Sequence, residues 1–121
     1  MAPQYIPERN DIIWLDFDPT KGKEIVKYRP ALVLSSEQYN KQTGLLICCP
    51  ISTSIRGAAT EVRVKNLDKP SIVAASLIQT LSWKDRKAKL ITQAEAGVMD
   101  DVLVRVIPLI GAESVIEKFV D

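Results

Sequence analysis

The chain has 121 residues, of which 46% are hydrophobic and 26% are charged, and its formal net charge is +1. This composition predicts one folded domain, residues 1–121, and excludes a disordered protein. No apolar run approaches the ~20 residues of a membrane span, and the first residues lack the apolar segment of a signal peptide, so we expect a cytoplasmic protein without membrane contact.

Histidine is absent from the sequence. Its absence excludes a Ser-His-Asp triad, a histidine-pair nuclease and any metal site with histidine ligands. The cysteines Cys48 and Cys49 are adjacent, and neighbours on a strand point to opposite faces. We therefore expect neither a disulfide nor a metal site, and we interpret the pair as small buried strand residues.

Hydrophobic patterns predict about five to seven short strands before the C-terminal part of the chain. Residues 11–17 predict a first strand, because apolar and polar residues alternate in their second half. Residues 30–36 contain a continuous apolar run, which predicts a second strand buried on both faces. Residues 44–52 predict a third strand, and residues 60–64 predict a strand with one face in water. Residues 37–43 are predicted to form a loop or a short helix. Residues 71–83 predict one or two strands, and residues 87–92 predict a short last strand.

The helical pattern lies at the C-terminal end of the chain. A helix is predicted from Gln93, because apolar residues recur between Val98 and Ile110 at the spacing of one helical face. Thr92 is predicted to cap this helix together with Glu95. Pro108 and Gly111 predict a break, and residues 113–120 predict a further short helix. Strands first and a helix last, with short connections, predict a mainly β fold: a small, strongly bent antiparallel sheet or open barrel with a C-terminal helix against it.

Two segments carry residues suited to phosphate. Arg29 precedes Pro30, which holds it extended at the edge of a rigid strand, and the guanidinium fork fits phosphate oxygens. Residues 50–54 end the third strand with three hydroxyls in a row, which suit the same oxygens. The alternatives are a surface ion pair of Arg29 with Glu24 or Asp18 and ordinary turn chemistry for the hydroxyls.

Taken together, these segments resemble the MazF/PemK toxins of bacterial toxin–antitoxin pairs. The matching motifs are residues 11–19, 22–24, 29–35 and 50–52, which follow the family's order and spacing. The resemblance implies a CcdB/PemK-like, SH3-like barrel and a homodimer. It also implies a sequence-specific endoribonuclease that needs no metal or cofactor and cuts single-stranded RNA by 2′-hydroxyl attack, leaving 2′,3′-cyclic phosphate and 5′-hydroxyl ends.

The resemblance also assigns catalytic roles. The family's strand-start arginine falls on Arg29, its threonine after the third strand falls on Ser52, and its first-loop glutamate falls on Glu24. We expect Glu24 to act as the base, Arg29 to stabilise the phosphorane, and Ser52 with Thr53 to hold a non-bridging oxygen.

Further residues are predicted to contact RNA. They are Lys21, Lys23, Lys27, Tyr28, Thr53 and Gln79. The basic 18–28 loop is interpreted as a movable lid in which Gly22 provides flexibility, the lysines attract the RNA backbone and Glu24 is carried to the phosphate. The expected protein partner is an antitoxin whose acidic, disordered tail covers the basic groove.

Two features depart from the family pattern. Ser76, Leu77 and Gln79 stand where the family often has an Asp-Gln pair and a basic residue, and residues 112–121 extend beyond the family's usual end. These departures leave two alternatives open. One is a non-catalytic CcdB-like toxin that binds gyrase through its terminal helix, and the other is a degenerate member that retains only RNA or antitoxin binding.

Overall fold

A computed structural model describes residues 4–17 and 28–120. Within these ranges the chain forms seven strands, three α-helices and one 3₁₀ turn. In chain order they are β1 (Asp11–Asp16), β2 (Tyr28–Val33), α1 (Glu37–Thr43), β3 (Leu45–Ser52), β4 (Glu61–Val64), β5 (Ser71–Ala74), the 3₁₀ turn (Ala75–Leu77), β6 (Gln79–Ser82), β7 (Lys89–Gln93), α2 (Val98–Leu109) and α3 (Ala112–Phe119).

The strands form one curled antiparallel sheet in the order β4-β5-β3-β2-β1-β7, with β6 paired to β3. One edge of β3 pairs with β2, whereas its other edge pairs first with β6 and then, at Ile51 and Ser52, with β5. The 3₁₀ turn separates β5 from β6, so the sheet bends where β3 changes partner. The predicted fold class, a strongly bent antiparallel sheet with C-terminal helices, is confirmed.

Apolar residues pack on both faces of the central strands. Adjacent residues such as Ile12 and Ile13 belong to different core clusters, and both are fully buried. Three residues of α2 (Val98, Val102 and Val106) close the first cluster, and the indole of Trp83 belongs to the second. This arrangement confirms that the second predicted strand is buried on both faces.

Cys48 and Cys49 are free, buried and divided between the two clusters, as the alternation predicts. Burial raises the pKa of each thiol to about 12, and the neighbouring thiol Cys49 adds to the rise at Cys48. Both are packing residues and take no part in the polar cleft described below.

The predicted start of the long helix is wrong. The helix α2 begins at Val98 after Gly97, whose φ of +93° ends the preceding turn, whereas Thr92 lies in β7 opposite Ile12. Glu95 does not cap the helix, because its carboxylate accepts a hydrogen bond from the backbone N–H of Lys65. The strand predicted at residues 87–92 is confirmed as β7, and its pairing with β1 extends to Gln93, so the helix begins five residues later than predicted.

The predicted break and the last helix are confirmed. Pro108 lies in the final turn of α2, and Gly111, with φ of +72°, leads into α3. No residue of α3 is buried. Residues 37–43, predicted as a loop or short helix, form α1, whose N-cap Ser36 accepts from the backbone N–H of Tyr39. None of the helices in the described ranges is long and apolar enough to cross a membrane.

Two neighbouring leucines on β3 provide a test of this core. Leu46 is fully buried, whereas Leu45 is 37% exposed. We expect Leu46→Ala to lower the free energy of unfolding by about 2–5 kcal/mol, because it leaves a cavity between packed strands. The same change at Leu45 should cost less than half as much in urea titrations, and equal losses would contradict the assigned strand register.

Candidate active site

The register of β2 and β3 brings Arg29 and Ser52 together. Ala31 lies opposite Pro50 and Leu32 opposite Cys49, so the same antiparallel pairing continued by two residues places Arg29 across from Ser52. Both side chains line one open cleft of about 360 Å³ at this end of the sheet. The structure thus unites two residues that are 23 positions apart in the sequence.

Arg29 is half-buried at the floor of this cleft, and its guanidinium forms no hydrogen bond or ion pair with any residue in the described ranges. Ser52 is also half-buried, and its Oγ accepts the backbone N–H of Ser54 at 3.0 Å. That bond leaves the hydroxyl proton of Ser52 able to donate. Two paired strands therefore present a cation and a hydroxyl donor to one cleft, and a phosphate oxygen can accept hydrogen bonds from both.

Arg56 and Glu61 also line the cleft, and the sequence analysis missed both. The Glu61 carboxylate accepts the backbone N–H of Gly57 at 2.9 Å and that of Arg56 at 3.1 Å. These bonds fix the turn that follows β3 and hold Arg56 at the cleft wall. In the sequence, Arg56 stands two residues after the hydroxyl-rich segment, and this position was the signal for it. With Arg29 and Arg56, the cleft is lined by two arginines.

The 3₁₀ turn forms another part of the wall. Ser76 and Leu77, the two residues expected to depart from the family pattern, both line the cleft, and Leu77 is 56% exposed. Gln79, predicted to bind RNA, lies at the start of β6 opposite Cys48, and its Nε2 donates to the carbonyl of Leu77 at 3.1 Å. In this structure Gln79 supports the turn, and the turn lines the cleft.

Thr53 does not share the cleft with Ser52. Thr53 follows the last residue of β3 and lines a second cavity together with Trp14 and Pro30. The two residues therefore line different cavities, and the expectation that Ser52 and Thr53 hold the same phosphate oxygen stays a prediction.

Tyr28, the remaining described residue predicted to bind RNA, is exposed at the start of β2. Its ring stacks on Trp14 with centroids 5.4 Å apart, and its hydroxyl donates to the carbonyl of Lys87 at 2.9 Å. The predicted base Glu24, the three loop lysines (Lys21, Lys23 and Lys27) and most of the predicted lid lie outside the described residues.

Comparison with known proteins identifies the family. Residues 8–110 match the sequence model described as "PemK-like, MazF-like toxin of type II toxin-antitoxin system". The chain belongs to this family. The match ends before α3, so this helix lies beyond the shared domain.

Relatives and solved structures agree with this assignment. The chain is 39% identical over 88 residues to the endoribonuclease toxin MazF of Escherichia coli (strain K12), covering 73% of this chain and 79% of that protein. The structure of MazF (Form-I) from Deinococcus radiodurans is similar with a TM-score of 0.81 and 35% identity, over 89% of this chain and 99% of that one. The MazE-MazF structure (Form-II) from the same organism gives a TM-score of 0.83 at 35% identity, over 89% and 98%. The predicted family resemblance is confirmed.

The role of Glu61 in shaping the cleft is testable by amide hydrogen exchange. Glu61→Ala removes the acceptor for the Arg56 and Gly57 amides, and each lost bond contributes about 0.5–1.5 kcal/mol. We expect exchange at these two amides to accelerate roughly 2- to 10-fold. Glu37→Ala, which removes an exposed carboxylate on α1, is the control, and unchanged exchange in Glu61→Ala would contradict the assigned role.

Proposed function

We propose that this protein is the toxin of a type II toxin–antitoxin pair and that it cleaves single-stranded RNA at specific sequences without a metal ion. The reaction is attack of a ribose 2′-hydroxyl on the adjacent phosphorus, which gives 2′,3′-cyclic phosphate and 5′-hydroxyl ends. The observation that carries the proposal is the meeting of Arg29 and Ser52 in one open cleft, on a chain of the PemK-like, MazF-like family.

The enzyme class itself is confirmed by the relatives. Curated proteins that match most of this chain are endoribonucleases, among them E. coli MazF at 39% identity and E. coli ChpB at 31% identity over 104 residues. The sequence specificity, the independence of metal and the chemistry of cleavage are our proposals, supported by the residues of the cleft.

The cleft supplies charge stabilisation where the reaction develops charge. As the 2′-oxygen bonds to phosphorus, the non-bridging oxygens gain negative charge. The guanidinium of Arg29 would stabilise this charge on a phosphate bound in the cleft. Ser52 is placed to donate its hydroxyl proton to one of those oxygens. Fixed donors in a partly desolvated site stabilise the transition state more than mobile water does.

Proton transfers complete the reaction. The 2′-hydroxyl must lose a proton as the new P–O bond forms, and we assign this base role to Glu24, which lies outside the described residues. The bond from phosphorus to the 5′-oxygen then breaks, and that oxygen takes a proton, which we assign to water held by Arg29. The hydroxide left from this water recovers a proton from the protonated Glu24, which restores the base. Arg29 is not the proton's source, because a guanidinium stays protonated in proteins.

Departures at the 3₁₀ turn bear on specificity. Ser76 and Leu77 line the same cleft as Arg29, so a base next to the scissile phosphate meets a hydroxyl and an isobutyl group where the family often offers an acid and an amide. We propose that this change alters which base is accepted. Arg29 and Ser52 are present together, which favours an active enzyme over a degenerate binding module.

The proposal extends to partners and location. The solved MazE-MazF complexes among the structural neighbours support a cognate antitoxin for this chain, and we propose that its acidic tail covers the Arg29 cleft and the 18–28 loop. We also propose a homodimer and a cytoplasmic location, where messenger RNA is accessible.

The experiment that tests the proposal is digestion of a long RNA in excess EDTA, with the new ends mapped. We expect cleavage with 5′-hydroxyl ends by the purified protein. Arg29→Ala should lower the rate about 10²- to 10³-fold, because one transition-state donor in an enzyme site contributes that much. Arg63→Ala, which removes an exposed arginine on β4 outside the cleft, should leave the rate unchanged.

Two results would contradict the proposal. Cleavage that EDTA abolishes would replace our mechanism by a metal-dependent one. Full activity in Arg29→Ala would show that the reaction takes place elsewhere in the molecule.

A further inference from the structure

A second cavity, of about 510 Å³, lies beside the candidate active site. Its apolar walls are the side chains of Trp14, Pro30, Leu67 and Ile91. The lining also includes residues with hydrogen-bonding or charged side chains: Thr53, Asn66, Asp68, Lys69, Ser71 and Thr92. The cavity thus combines a flat aromatic side with directional donors and acceptors.

The two cavities share the same strand ends. Pro30 and Thr53, which line the second cavity, follow directly after Arg29 and Ser52, which line the first. Trp14 lies opposite Pro30 in the pairing of β1 with β2. Since side chains alternate along an extended strand, a site for phosphate and an aromatic cavity lie on opposite sides of one short stretch of backbone.

Trp14 is held in place but has little role in the core. Its side chain is 36% exposed, and Tyr28 stacks on it with an angle of 21° between the rings. The other tryptophan of the chain, Trp83, is buried and donates its indole N–H to the carbonyl of Asn40 at 2.9 Å. An exposed indole fixed against a second ring is a preformed surface for another planar group.

We propose that the Trp14 cavity binds one unpaired base of the RNA next to the scissile phosphate. The inference rests on the proposed ribonuclease function and adds a binding site to it. A single-stranded polynucleotide alternates charged phosphates with flat bases at short intervals, and aromatic side chains beside a cationic groove bind such strands by stacking. The strand passes over the end of β2, with phosphate at Arg29 and the base against Trp14.

The polar residues that line the cavity favour a nucleotide base as its occupant over an apolar peptide side chain. Asn66 uses one amide proton on the carbonyl of Gln93, at 2.8 Å, which orients its remaining donor and acceptor. Asp68 can accept hydrogen bonds and Thr53 can donate or accept them, as base edges require. A leucine or phenylalanine from a protein partner would leave these groups without partners, which carries a desolvation cost.

Tryptophan fluorescence tests the site without relying on cleavage. The probe is a short single-stranded RNA with 2′-O-methyl groups, which binds but cannot undergo 2′-hydroxyl attack. We expect it to quench the emission of the wild-type protein through Trp14 and to leave the emission of Trp14→Phe, in which only Trp83 remains, unchanged. An abasic strand of equal length, with the same phosphates, should give no quenching.

Affinity measured by anisotropy gives the second readout. Trp14→Ala should weaken binding of the 2′-O-methyl strand about 5- to 100-fold, the range for loss of one base stack. Trp14→Phe should retain part of the affinity. Tyr39→Ala removes an aromatic ring of equal exposure, 36%, on α1, and should change nothing; thermal melts establish that every variant is folded.

The outcomes separate the base site from the ribonuclease function. Quenching that needs both Trp14 and the bases, with weaker binding in Trp14→Ala, supports the site. Tight binding of the RNA with no quenching and no effect of Trp14→Ala would overturn the site while leaving the ribonuclease proposal intact. Absence of binding by any single-stranded RNA would overturn both. Stronger quenching by a synthetic acidic, leucine-containing peptide than by the RNA would assign the cavity to a protein partner instead.

Discussion

The pairing register of β1, β2 and β3 is the constraint on which the rest of the structure depends. Because side chains alternate with a period of two, the register decides which residues face each side of the sheet. Trp14 opposite Pro30 and Ala31 opposite Pro50 place Arg29 and Ser52 in one cleft and Trp14 and Thr53 in another. A slip of one residue would exchange these sets and would also move buried apolar side chains between two cores.

Burial on both faces holds that register. Ala31, Leu32 and Val33 are all fully buried, although consecutive residues point to opposite faces. A buried network fixes the sheet further along the chain. Asn40 donates to the carbonyl of Pro7 at 2.8 Å and accepts from the hydroxyl of Ser35 at 2.5 Å. The ends of β2 and β3 that carry Arg29 and Ser52 are thus extensions of a rigid sheet.

Patterns with a strong local cause were predictable from the sequence. The continuous apolar run of β2 and the alternation of β4 gave the correct strands, since a buried face imposes its period on the chain. The start of α2 was not predicted correctly: the helix was expected from Gln93, but Gln93 pairs with Asp11 of β1 and the helix begins at Val98. Contacts distant in sequence decided between two locally acceptable structures.

The residues of the site were predicted where local sequence was sufficient and missed where distant contacts place them. Arg29 and Ser52 were identified because each stands at a strand end with suitable chemistry, and the family motif carries both. Arg56 reaches the cleft only because Glu61, on the next strand, holds the intervening turn. Thr53 was placed with Ser52 because the two are adjacent, although β3 ends at Ser52 and Thr53 lines a different cavity. The strand pairing determines how the turn after β3 folds back and which cavity each residue lines. This pairing cannot be inferred from the local sequence.

The most direct test of the central claim is a crystal structure of the protein with a single-stranded RNA that carries a 2′-deoxy substitution at the cleavage position. The account predicts the scissile phosphate between the guanidinium of Arg29 and the hydroxyl of Ser52. A phosphate bound away from both residues, with the cleft empty, would contradict it.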